Sequence, residues 1–192
     1  MTIFLILAPF GAFTFLMLLT STAASVFAAA ATCLLAVAVD VARSRSVKML
    51  PAGSAIMFAG IGFYVTLVDP ALNATAVRLA VDIGVFTISL GSMLIGRPFT
   101  LQYALESVPA ETAAMPGFVY ANYVITAAWT AATLLMMAAN IALIYVPGLP
   151  IWSGLAVAFA ARYSAICFTK WYPDYCRSRF GTAAAQAVPA SH

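Results

Sequence analysis

The sequence predicts an all-α integral membrane protein, a bundle of six transmembrane helices with both termini on the cytoplasmic side. Three observations predict it. Hydrophobic residues make up 64% of the 192 residues and charged residues only 8%, against roughly half and a quarter in soluble domains. The apolar residues gather in runs long enough to cross a bilayer. The basic residues fall almost entirely in alternate loops.

The six runs are Ile3–Leu19, Ala23–Val39, Ala52–Val68, Ala74–Ile95, Phe118–Tyr145 and Ile151–Thr169. At ~1.5 Å per residue each reaches ~25–40 Å, enough for a ~30 Å hydrocarbon core. They are gapless rather than alternating, which favours helices over barrel strands. The first run lacks a basic leading segment and is long for a signal-peptide core, so it is read as a span. The second is rich in alanine, which predicts close helix packing, as do Gly60 and Gly62 in the third. TSTA, VDPALNA and VPGLP are turns between spans.

Arg43, Arg45 and Lys48 follow span two, Arg97 follows span four, and Lys170, Arg177 and Arg179 follow span six. The opposite loops hold no lysine or arginine. Cytoplasmic loops carry the basic excess, so both termini lie inside, as an even number of spans requires. Trp152 and Tyr145 then belong to the outer interface, Trp171 and Tyr172 to the inner one. Residues 1–180 form one membrane domain, and 181–192 are expected to be a flexible tail.

Three charges fall inside spans: Arg78, Asp82 and Arg162. Each central charge costs ~2.5–3.5 kcal/mol to insert, so a partner is expected. Helical side chains lean toward the helix N-terminus, which brings Arg162 to the level of Asp82. Asp82 is therefore expected to neutralise Arg162, with Arg78 as an i, i+4 neighbour in the weaker order. The arrangement is either a structural pair that fixes register or a polar site for an anionic group, and Arg78 is also able to snorkel outward. In span five, Asn122, Thr126, Trp129, Thr130, Thr133, Met137 and Asn140 share one face. Such a stripe either bonds neighbouring helices or lines a hydrated cavity.

The one long connection, Gly96 to Phe118, is expected to hold an amphipathic helix from Pro98 to about Val108, flat on the inner interface. It is an anchoring elbow or a site for a lipid or partner. Its residues GRPFTLQYALE, then PGFVYANYVITAAW, resemble small multi-pass bacterial inner-membrane proteins of the septation-protein-A-like kind. The similar positions are Gly96, Pro98, Phe99, Thr100, Gln102, Tyr103, Glu106, Pro116, Phe118, Asn122, Thr126 and Trp129, with Arg97 beside them. Leu105 stands where that pattern often has a basic residue. The resemblance implies an inner-membrane location and a role in envelope maintenance, and supplies no reaction.

Composition also excludes classes. The net charge of +3 is a topology signal and does not point to nucleic acid. The only histidine is His192, and Cys33, Cys167 and Cys176 fit no metal or redox spacing, so neither cofactor nor metal is expected. Asp40, Glu106 and Glu111 read as isolated, solvated carboxylates, so no enzyme is expected. The expected partners are the lipid bilayer and other membrane subunits or a second copy. Two functions remain: a structural or accessory role in a membrane complex, or a small-solute or ion transporter built on Arg162, Asp82 and the stripe.

Overall fold

The computed structural model describes residues 2–186, with side chains over 8–115 and 117–179. Among them the chain is helical, in the order α1 (Thr2–Leu19), α2 (Thr22–Ala42), α3 (Met49–Leu67), α4 (Ala74–Leu94), α5 (Phe99–Ala104), α6 (Ala110–Ala113), α7 (Pro116–Tyr145) and α8 (Ile151–Gln186). Five helices are long and apolar enough to cross a membrane: α2, α3, α4, Gly117–Tyr145 of α7 and Ile151–Arg179 of α8. In α1, Ala8–Leu19 is a shorter apolar helix. This is a multi-pass membrane bundle.

Local chemistry sets the ends. Ser21 caps α2 by accepting from Ala24 N–H at 3.3 Å, and Asn73 caps α4 by accepting from Thr75 N–H at 2.8 Å. Pro116 occupies the first turn of α7. Two helices end in the same reversal. Arg97 N–H donates to Ser92 O at 2.9 Å and Gly96 N–H to Met93 O at 3.1 Å. Arg45 N–H donates to Asp40 O at 2.9 Å and Ser44 N–H to Val41 O at 3.0 Å. These are Schellman turns, which need a left-handed residue. Gly96 supplies it at φ 77° and Ser44 at φ 53°. The first turn sends α5 back under the bundle, and the second brings Lys48 toward it.

The helices pack in chain order: α1 on α2, α2 on α3, α3 on α4, α4 on α7 and α7 on α8, with α5 wedged against α7 and α4. The ends of α2, α4 and α8, with the starts of α3 and α7, form one end of the bundle, the basic end. At the core, Phe58 of α3 is fully buried between Phe10 and Phe13 of α1, with ring centroids 5.9 and 5.5 Å away. Val26, Ala29, Ala30 and Cys33 form the buried stripe of α2 at i, i+3, i+4, i+7 spacing. A Cβ on Gly62 would meet the Phe27 ring at 2.9 Å, so this glycine does mark close approach; Gly60 faces open space and does not.

A Cβ on Gly84 of α4 would run into the thioether of Met57 on α3, whereas Gly91 has nothing within 4 Å. Gly84→Val should therefore cost about 1–3 kcal/mol through overpacking. Gly91→Ala should be neutral or stabilising by up to about 1 kcal/mol. Thermal unfolding of the two variants in one detergent checks the contrast.

Two expectations change. The connecting helix ends at Ala104 rather than Val108, because the Ser107 hydroxyl bonds Tyr103 O and Ala104 O and competes for the backbone acceptors. At its start, Pro98 and Phe99 are buried in the bundle end. The helix of α8 runs through the start of the expected tail to Gln186; residues 187–192 lie outside the described residues.

Candidate interior polar site

Asp82 is a buried carboxylate on α4, and its direct partner is Asn140 on α7, whose Nδ2 donates to Oδ2 at 2.7 Å. Arg162 of α8 faces the same cavity, which is also lined by Phe10, Val85, Ser89 and Met136. The two charges are not in contact: among the described residues no ion pair within 4.0 Å involves Arg162 or Arg78. The expected salt bridge is thus a carboxylate bonded to an amide, with a guanidinium across a gap. Asn140 takes the near position because its amide reaches the carboxylate without the cost of desolvating a second charge. Arg78 is half-buried and its Nε has no hydrogen-bond partner among the described residues.

The cavity measures about 40 Å³, room for roughly one to three waters. Its floor toward the basic end is made by Phe99 and Trp129, which also line a cleft of about 300 Å³ below, between α5, α7 and α8. Both floor residues are held. Phe99 N–H donates to Ser92 Oγ at 3.0 Å, and Trp129 Nε1 donates to Thr169 Oγ1 of α8 at 3.0 Å.

The polar stripe of α7 divides between its two readings. Toward the basic end it binds other elements. Thr100 Oγ1 of α5 donates to Asn122 O at 2.9 Å and accepts from Thr126 Oγ1 at 2.7 Å, and Thr130 pairs with Ser89 of α4 at 2.6 Å. Toward the other end, Trp129 and Thr133 line the cavity and Asn140 holds Asp82. Thr133 spends its own proton on Trp129 O at 2.9 Å.

A second polar cluster lies at the basic end. Lys48, one of the three basic residues that follow span two, is 3% exposed. Its Nζ lies 3.0 Å from Asp40 Oδ1 of α2 and 2.9 Å from Glu106 Oε1 after α5. It also sits 5.4 Å from the centre of the Tyr103 ring. Arg45 approaches Glu106 at 3.8 Å, and Gln102 Oε1 accepts from Met49 N–H at 2.8 Å. Asp40 and Glu106 are therefore not the isolated carboxylates that the loops suggest. Burial, and after it the Asp40 carboxylate, pushes the Tyr103 phenol above its ordinary range, so it remains protonated. Of the interfacial motif, Arg97 is exposed and lies outside this cluster. The signal for the cluster was present in the motif GRPFTLQYALE, whose Gln102, Tyr103 and Glu106 all turn toward the α2–α3 connection.

Comparison with known proteins finds no matching family model, no matching curated protein and no matching solved structure.

Proposed function

We propose that the chain is a six-span protein of the cytoplasmic membrane, α1 being the sixth span, with its basic end in the cytoplasm, and that it moves a small ion through the interior polar site. One observation carries this reading: Asp82 and Arg162 share a water-sized cavity without closing into contact. A pair that served only to fix register would gain most by direct contact, since the attraction falls with distance and the desolvation cost is already borne. Held apart, both groups are free to meet a third species. Intramembrane charges in such a setting mark ion or proton pathways. The cavity volume favours a monatomic ion or a proton carried on water over an organic solute. Phe99 and Trp129 close the site toward the basic end, as an occluded carrier requires.

The test is flux in proteoliposomes over a panel of small ions, protons included. Wild type should carry one of them, and Arg162→Ala should lower that flux at least about tenfold, the effect of removing ~1.4 kcal/mol of favourable interaction. No flux of any ion, or flux indifferent to Arg162, contradicts the proposal.

The accessory reading keeps one supporting observation. Beyond its contact with α7, α8 exposes Trp152, Phe159, Tyr163 and Trp171 along its length, a face for lipid or another membrane subunit. Isolation in mild detergent with a stoichiometric partner would favour it. The likeness to septation-protein-A-like proteins is compatible with both.

A further inference from the structure

We infer that the cleft between α2, α3 and α5 at the basic end binds an anionic phospholipid by its phosphate, with Arg43 and Arg45 as the contacting cations. The cleft measures about 460 Å³, within the range of small-molecule sites. Its lining changes character along its depth. Leu35, Ala36 and Val39 of α2, with Ala8 of α1, form an apolar wall on the membrane-spanning side. Leu35 and Val39 are exposed there, so the wall is open to an acyl chain. Arg43, Arg45 and Lys48 line the same cleft one to two helical turns further, at the bundle end. An amphiphile meets both surfaces at once; a soluble anion meets only the second.

The charges leave room for such a ligand. Asp40 and Glu106 also line the cleft and both contact Lys48, at 3.0 and 2.9 Å, so three cations face two carboxylates and the cleft keeps one net positive charge. Lys48 serves as a positioning residue for the cleft's walls. Arg45 has only the long contact to Glu106 at 3.8 Å, and Arg43 has no carboxylate within 4.0 Å among the described residues. The Schellman turn at Ser44 fixes the backbone between the two arginines. Two available guanidiniums on a rigid turn suit a phosphate, which accepts from several donors at once. Basic pockets at the cytoplasmic ends of membrane helices bind anionic headgroups on the same grounds.

The experiment uses the full chain in detergent, with lipid retention read by native mass spectrometry. Phosphatidylglycerol and phosphatidylcholine of identical acyl chains are compared, with soluble glycerophosphoglycerol as competitor. Two headgroup contacts predict a preference of roughly tenfold to thirtyfold for phosphatidylglycerol. The double variant Arg43→Gln/Arg45→Gln should lose that preference, whereas Lys170→Gln, which removes a charge exposed elsewhere at the same end, should keep it. Both arginines are exposed, so folding should survive, and an unchanged unfolding midpoint verifies this. Equal retention of the two lipids, or a preference that survives the double variant, overturns the inference. So does competition by glycerophosphoglycerol as effective as that by the lipid, since the anion would then be soluble. None of these outcomes depends on whether the interior site passes an ion.

Discussion

Lys48→Met should destabilise the protein by about 3 kcal/mol, at the lower end of the range for a buried ion pair stripped of one partner. The lysine side chain is 4% exposed, and its removal leaves Asp40 and Glu106 facing each other with 14% and 27% exposure. Water reaches both acids in part, which is why the upper end of the range is not expected. The effect is also mechanical. Lys48 ties the α2–α3 connection to the segment after α5, and only the Met49–Gln102 bond and the long Arg45–Glu106 contact would remain in that seam. For a chain of this length the loss corresponds to a fall in thermal midpoint of roughly 6–12 °C. The triple variant Asp40→Asn/Lys48→Met/Glu106→Gln should recover most of it, because no charge is then left without a partner. Thermal unfolding by circular dichroism in one detergent reads both. A single variant as stable as wild type would mean that water, not Lys48, satisfies the two carboxylates.

Asp82→Ala should cost about 3 kcal/mol and abolish function together. It removes the one acid that lines the interior cavity, leaves Asn140 without its acceptor and leaves Arg162 with no carboxylate across that cavity. Asp82→Asn separates the two losses. The amide oxygen still accepts from Asn140, so packing is kept and about half of the stability loss should return. The charge is gone in both variants, so ion flux should be absent in both. Flux retained in Asp82→Asn would remove the carboxylate from the pathway.

The architecture was legible because hydropathy is a local property. Each apolar run became one helix, and the turn residues did what their chemistry implies: Ser21 and Asn73 cap, and Gly148 takes a positive φ between α7 and α8. Partnerships were less legible because they depend on where helices lie in space. Asp82 and Asn140 were both singled out, one as a charge and one as part of a stripe. Seeking a countercharge for Asp82 pointed to Arg162, while the short bond went to the amide. Lys48 was counted with the other basic residues, since charge asymmetry between loops treats exposed and buried lysines alike. Its burial follows from the turn at Ser44 and from Glu106, neither of which periodicity reveals. The connecting helix read as longer because Pro109 is the first residue after it that must break a helix; the Ser107 hydroxyl bonds Tyr103 O near the observed end, and the Gly96 turn precedes its first residues.

The most direct test of the interior site exchanges its two charges. Unfolding midpoint and ion flux are measured for Asp82→Arg, for Arg162→Asp and for the double variant. Two groups that act on each other across one cavity should be coupled, so the double variant should regain at least about half of the stability lost in the worse single variant, and part of the flux. A double variant no better than that single variant would mean that the two side chains do not share an interior site.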